Sequence, residues 1–200
     1  MYTLINGSQK TKISNSRYFL DYISNYLDDY NTYDLMNHNF TDVINSIIKS
    51  NTIILAFPLY VDSPNSLTLK LLDYIYDNNI ELANKKIYVI INCGFREGTH
   101  NITALNIVKN WARKVNIDFS GSILIGAGEI VGKKKFSYIT SIAINKLKKF
   151  SKCIKNNSHT KDIITTMDLL TNRLYIMFAN ASWNKQGKNN NLSKKDLKML

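Results

Sequence analysis

Tyr2-Thr3-Leu4-Ile5-Asn6-Gly7-Ser8-Gln9-Lys10-Thr11-Lys12-Ile13-Ser14-Asn15-Ser16-Arg17 carries the reading from which the rest of the chain follows. Its first four residues form a short apolar run, the pattern of a buried strand. The hydroxyl- and amide-rich stretch behind it leads into a helix that starts near Ser14 to Ser16. Such a turn can direct backbone N–H groups and small side chains at one anion, with the positive end of the helix behind them. The spacing G-x-G-x-x-G of a dinucleotide loop is absent, and so is the Gly-Lys-Ser/Thr ending of a Walker loop. The same composition also serves plain helix capping.

Downstream, strand-like and helix-like segments alternate, the mark of a parallel sheet covered on both faces. Tyr18, Phe19, Tyr22, Ile23, Tyr26 and Leu27 recur at helical spacing. Thr32 to Met36 reads as a weak second strand, and Val43, Ile44, Ile47 and Ile48 mark a short helix. Thr52 to Phe57 is an unbroken apolar strand that Pro58 stops, and Ser63-Pro64 opens a helix carrying Leu67, Leu71, Leu72 and Ile75. Ile87 to Ile91 is the fourth strand. Leu105, Val108, Ala112 and Val115 share a helical stripe, Phe119 to Ile125 is the fifth strand, and Ile139, Ile142, Ala143 and Leu147 mark the helix after it. The expected fold is α/β, a flavodoxin-like three-layer doubly wound sandwich with a five-stranded parallel sheet in the order 2-1-3-4-5. The expected domain spans 1–156. Residues 157–200 are expected to add a C-terminal helical segment, with 156–162 a linker, Ile163 to Trp183 helical and Asn184 onward a polar tail.

The 200 residues are 44% apolar and 20% charged, a globular balance with room for a real core. No apolar run is long enough to span a membrane, and the first residues lack a leader's basic and apolar regions, so a cytoplasmic protein without membrane association is expected. Cys93 and Cys153 stand far apart and at no metal spacing, so neither a disulfide framework nor a metal site is expected. The net charge of +11 is concentrated late: residues 133–200 hold 15 Lys/Arg against 3 Asp/Glu. Arg173 is the only arginine there, and the aromatic side chains do not interleave with arginine, so nucleic acid is disfavoured as a partner.

In open α/β sheets, ligands sit beyond the C-terminal ends of the strands. The loops in question are the Gly7 to Ser16 turn, Pro58-Leu59-Tyr60-Val61-Asp62-Ser63-Pro64, Asn92-Cys93-Gly94-Phe95-Arg96-Glu97-Gly98-Thr99-His100, and Gly126-Ala127-Gly128-Glu129. A phosphate pocket beside loops bearing Tyr60 and Phe95 suits a flat heteroaromatic ring with a phosphorylated tail, and FMN fits that description. Gly94 lets the main chain come close. Cys93 reads as a small buried apolar group. Arg96 is a candidate for the 2′-phosphate of NADPH. Gly128, in a lone G-x-G, either makes room for a substrate or a second subunit or simply turns the chain.

At Asn6-Gly7-Ser8 with Ser14-Asn15-Ser16, at Pro58-Leu59-Tyr60-Val61-Asp62 and at Asn92-Cys93-Gly94-Phe95, the chain resembles the flavodoxin-like NAD(P)H-dependent FMN reductases, the family of NAD(P)H:flavin or quinone oxidoreductases. The tail Ala179-Asn180-Ala181-Ser182-Trp183 is similar to one in clostridial-type members. The resemblance implies that Ser8, Ser14, Asn15 and Ser16 hold the FMN phosphate with help from Lys10, and that Gln9 replaces the family's usual proline. It implies that Pro58, Leu59, Tyr60 and Val61 line the isoalloxazine, while Asn92, Cys93, Gly94 and Phe95 meet its other edge. Asn37-His38-Asn39-Phe40 stands where the iron–sulfur branch has a cysteine cluster, so no cluster is expected.

The activity implied is hydride transfer from NADPH or NADH through FMN to a small acceptor, such as a flavin, quinone, nitro or azo compound, in a ping-pong cycle. The flavin carries the chemistry, so no catalytic side chain is required. A homodimer is the implied assembly. The alternatives are a flavodoxin-type electron carrier and a non-catalytic module that has lost flavin.

Overall fold

The computed structural model describes residues 1–10, 14–132, 137–167, 171–193 and 196–198; the expected cradle residues Thr11, Lys12 and Ile13 lie outside them. The chain divides into two compact units, Met1–Met167 and Asp168–Leu200.

The first unit runs β1 (Tyr2–Asn6), α1 (Asn15–Ser24), β2 (Tyr30–Asp34), α2 (Phe40–Lys49), β3 (Thr52–Tyr60), β4 (Ser63–Pro64), α3 (Ser66–Asp77), β5 (Lys86–Asn92), α4 (Ile102–Lys114), β6 (Asp118–Ile125), α5 (Gly128–Val131), α6 (Ser137–Lys155) and β7 (Ile163–Thr165). The sheet has seven strands, in the order β2-β1-β3-β5-β6-β7 with β4 paired to β3. All pairings are parallel except β3 with β4. The expectation of a five-stranded sheet is therefore corrected by two short additions. β7 extends the sheet beyond β6, so 163–165 is strand and not helix. The segment before it is no free linker, since the Thr160 N–H donates to Ser120 O at 2.8 Å. The first unit accordingly runs past the expected boundary at 156.

Alternation along the strands builds the layers. Ile5, Ile53, Leu55, Phe57, Ile87, Val89 and Ile91 face a core closed by Val43 and Ile47 of α2, Leu71 and Ile75 of α3, and Leu105 and Val108 of α4. On the other face Tyr88 meets Phe150 of α6 edge-on at 5.9 Å, and α1 packs on β3 and α6. Fully burying one Leu or Ile side chain contributes roughly 1.5–3 kcal/mol, so both layers matter to stability.

Pro58 does not stop β3: the strand continues to Tyr60, with Pro58 opposite Asn92 of β5. Pairing with β1 ends at Asn6↔Ala56 and pairing with β4 begins only at Leu59↔Pro64, so Pro58 falls between the two, where its missing N–H costs no ladder bond. Ser63-Pro64 forms β4 and not a helix start. Asn65 caps α3, its side chain accepting from the Thr68 N–H at 2.9 Å.

The second unit holds α7 (Asn172–Asn189), capped by Thr171. The helix continues past Asn184, where a polar tail was expected. Leu174, Ile176, Met177, Phe178 and Trp183 on it are exposed. Among the described residues no helix is long and apolar enough to cross a membrane.

Candidate functional site

β1 and β3 are neighbours with β2 on one side and β5 on the other, so the winding reverses direction at the C-terminal ends of β1 and β3. A cleft of about 140 Å³ lies there, lined by Ser8, Lys10, Ser14, Asn15, Ser16, Pro58, Leu59, Tyr60, Asn92, Cys93, Gly94 and Glu129. The structure thus gathers eleven of the expected cofactor residues from three loops and adds Glu129. Val61, Phe95, Arg96 and Gly128 lie outside the lining.

The turn after β1 is held from within. Asn6 Oδ1 accepts from the Ser8 N–H at 3.1 Å, and its Nδ2 donates to Ser14 Oγ at 3.3 Å and to Asp34 Oδ1 at 2.6 Å. Asp34 in turn pairs with Arg17 at 2.8 Å. Asn65 Nδ2 donates to Gly7 O at 2.6 Å, tying the same turn to the start of α3.

This scaffold decides the chemistry of three buried hydroxyls. Ser14 Oγ accepts from the Arg17 N–H at 3.1 Å as the cap of α1, and also from Asn6. Ser16 Oγ accepts from Asn92 Nδ2 at 2.8 Å, and Ser8 Oγ accepts from the Lys10 N–H at 3.3 Å. A hydroxyl has one proton to donate, and each of these three uses its oxygen as an internal acceptor. Their protons remain for a group in the cleft. The N–H groups of Asn15 and Ser16 open α1 and have no acceptor within the helix. Three hydroxyl donors, a helix N-terminus and the Lys10 ammonium make an acceptor-rich anion the matching occupant.

The far side of the cleft is apolar and aromatic. Tyr60 is exposed, and Val61 beside it is 97% exposed. Val61 (φ 46°) and Asp62 (φ 58°) are both left-handed, as the two central residues of a tight β3–β4 hairpin must be. A β-branched residue is costly in that conformation, so the turn stores strain beside the cleft. A side chain built at Gly94 would meet nothing within 4 Å. Phe95 is exposed and stacks on His100, ring centres 4.3 Å apart. The cleft volume is below the ~300 Å³ of a typical whole-ligand pocket, so it has room for one end of a ligand of that size.

Cys93 is buried, and burial pushes its thiol up, which leaves it protonated and unreactive at neutral pH. The guanidinium of Arg96 is engaged by Glu97 at 2.7 Å and holds that carboxyl below its ordinary range. At Gly128 an added Cβ would stand 3.1 Å from Asn92 Oδ1, so this glycine serves close packing. Sequence reasoning named Glu129 in the loop after the fifth strand without giving it a role, because it read Gly126-Ala127-Gly128 as a turn and not as the entry to the short helix α5 that carries Glu129.

No protein-family model matches the chain, and no curated protein matches it. Several solved structures share its fold. The Trp repressor binding protein of Bacillus subtilis superposes with a TM-score of 0.56 at 16% identity, over 63% of this chain and 84% of that one. An NADPH-quinone reductase of P. pentosaceus gives 0.55 at 15% identity, over 78% and 97%. An FMN-dependent NADH-azoreductase of Bacillus anthracis str. Ames Ancestor, solved with FMN, gives 0.54 at 12% identity, over 77% and 99%. At these identities the likeness establishes a shared α/β fold.

Proposed function

We propose that this protein is an FMN-dependent oxidoreductase that takes reducing equivalents from NADPH or NADH and passes them to a small acceptor. One observation carries the reading: Ser8, Ser14 and Ser16, which line one cleft, each accept a hydrogen bond from the protein itself, which leaves three hydroxyl protons there for a phosphate. In this reading the phosphate lies among those hydroxyls, the Asn15 and Ser16 N–H groups and Lys10. Pro58, Leu59 and Tyr60 cover one side of the ring, and the Asn92 to Gly94 backbone meets its polar edge. Val61 and Phe95 extend the apolar lip.

Bound FMN supplies the hydride chemistry, so the protein needs no acid or base of its own. What the chain contributes is position: the cleft holds one end of the cofactor and leaves the lip open. Donor and acceptor use that same opening in turn, which makes the kinetics ping-pong. The proposal includes a homodimer, which light scattering on the purified protein reads directly.

The test is the visible spectrum of the purified protein, before and after FMN is added and excess removed by desalting. A retained flavin band that bleaches under anaerobic NADPH or NADH supports the proposal. A protein that retains no FMN overturns it. Retained flavin that neither dinucleotide reduces leaves a carrier in place of a reductase.

A further inference from the structure

Arg17 of α1 pairs with Asp34 of β2, so that side of the helix is turned toward the β2 edge of the sheet. One residue advances a helix by about 100°, which puts Tyr22, and Tyr26 just past the helix end, on the side away from β2 and toward α6. Lys146 of α6 donates to Ile164 O of β7 at 2.7 Å, so its side of that helix is turned toward the β7 edge. Lys148 and Lys155 lie about 180–200° round from it and are turned toward α1. The two helices are neighbours on one face of the sheet, and the furrow between their outer flanks has tyrosine on one wall and lysine on the other.

Tyr18, Tyr22 and Tyr26 recur every four residues and are half-buried, with the rings of Tyr22 and Tyr26 centred 5.8 Å apart. On the other wall Lys148, Lys152 and Lys155 are exposed, and α6 carries no acidic residue. None of these lysines forms an ion pair among the described residues. Compensation of the helix dipole accounts for Lys152 and Lys155 in the last turn, but not for Lys148 and Lys149 before it. Like charges three and four residues apart also repel one another, a cost that a bound polyanion removes. The basic third of the chain has no aromatic pattern of its own, which is why its sequence speaks against nucleic acid; the fold supplies the aromatic wall from α1. A row of rings beside a row of cations matches bases that stack and phosphates that run alongside them. From Tyr18 to Tyr26 the row runs about 12 Å, roughly three stacked bases. A lipid surface calls instead for apolar side chains that protrude, whereas these rings are half-buried.

We infer that the furrow between α1 and α6 binds single-stranded nucleic acid without regard to sequence, its tyrosines stacking on bases and its lysines meeting phosphates. This partner is independent of the flavin reading. The test follows the anisotropy of a short oligothymidylate with a red label, mixed with the full-length protein at about 50 and about 200 mM salt. Wild type binds, and binding weakens steeply with salt. Changing Lys148→Gln and Lys155→Gln together reduces the salt slope by about 1.4. The matching change of the exposed Lys49 and Lys70 to Gln, on the opposite face of the sheet, leaves the slope as in wild type. Tyr22→Leu weakens binding about tenfold, while Tyr22→Phe retains it. If Tyr22→Leu lowers the melting temperature, Tyr18→Leu makes the same test. No binding at the lower salt overturns the inference. So does an α6 lysine pair that matters no more than the control pair, and so does binding that the loss of a ring leaves unchanged, the mark of plain polyanion attraction. Binding to vesicles of anionic lipid in place of the oligonucleotide assigns the furrow to a membrane surface and overturns it as well.

Discussion

The side-chain amide of Asn92 donates to the hydroxyl of Ser16, 2.8 Å away and 76 positions earlier in the chain. The same amide reaches Phe57 O at 3.2 Å, so one buried residue ties the ends of β5 and β3 to the start of α1. All three elements contribute residues to the cleft. Asn92→Ala removes both bonds and leaves buried acceptors unmet, which costs about 1–3 kcal/mol of stability. Urea unfolding measures that loss, and FMN titration is expected to show at least about tenfold weaker binding. Unchanged stability together with unchanged binding would show that this amide does not hold the cleft.

Capping and anion binding are separable at Ser14. As a cap it accepts from the Arg17 N–H, and in the proposed function its proton meets the phosphate. Aspartate caps helices about as well as serine, whereas alanine costs about 0.5–2 kcal/mol. Ser14→Ala should therefore lose stability and FMN affinity together. Ser14→Asp should keep its melting temperature and lose FMN, because a carboxylate now faces the phosphate. If Ser14→Asp retains FMN at wild-type affinity, the anion does not sit at this helix end.

How much of this was legible in the sequence depended on how local each signal was. β1, the Ser14 cap and β3 announce themselves through an unbroken apolar run or a small polar residue at a helix start. β7 is only Ile163-Ile164-Thr165, flanked by polar residues, and becomes a strand because β6 offers it an open edge. Pro58 misled because a proline breaks a strand only where its N–H is needed, and the register with β1 ends two residues earlier. The four loops were legible as site loops because the ends of parallel strands gather on one side. That Glu129 is the residue of the fourth loop that lines the cleft was not, since the seat of α5 depends on Gly128 and Gly132 packing against Asn92 and Asn15.

Alkaline stability should depend on Tyr88. Its side chain is fully buried, its hydroxyl donates to Ser158 O at 2.9 Å, and burial pushes the phenol up to about 12. The unfolded chain releases this proton near the ordinary value of ~10, so between about 10 and 12 the folded state holds more protons than the unfolded state. Stability is then full below pH 10 and falls as pH rises toward 12, by about 2–3 kcal/mol in all from this group. Tyr88→Phe removes that share, so urea unfolding at pH 8 and pH 11 should show a smaller alkaline loss in the variant. Equal losses in the two proteins would assign the alkaline sensitivity to other groups, such as Tyr22, whose phenol is also pushed up to about 12 by burial.

In the proposed function, the hairpin at Val61 and Asp62 sets stability against flavin binding. Both residues sit at positive φ, 46° and 58°, where Asn-Gly is the preferred pair. A β-branched side chain there costs on the order of 1 kcal/mol or more. Val61 is nevertheless almost wholly exposed next to Tyr60 of the cleft, so nothing in the protein's own packing repays that strain. The double variant Val61→Asn, Asp62→Gly should raise the melting temperature by several degrees, since about 1 kcal/mol moves the midpoint of a domain this size by about 2–4 °C. It should also weaken FMN binding, because the apolar lip over the ring is lost. Stabilisation with unaltered FMN affinity would make the turn a tolerated defect and remove Val61 from the binding surface.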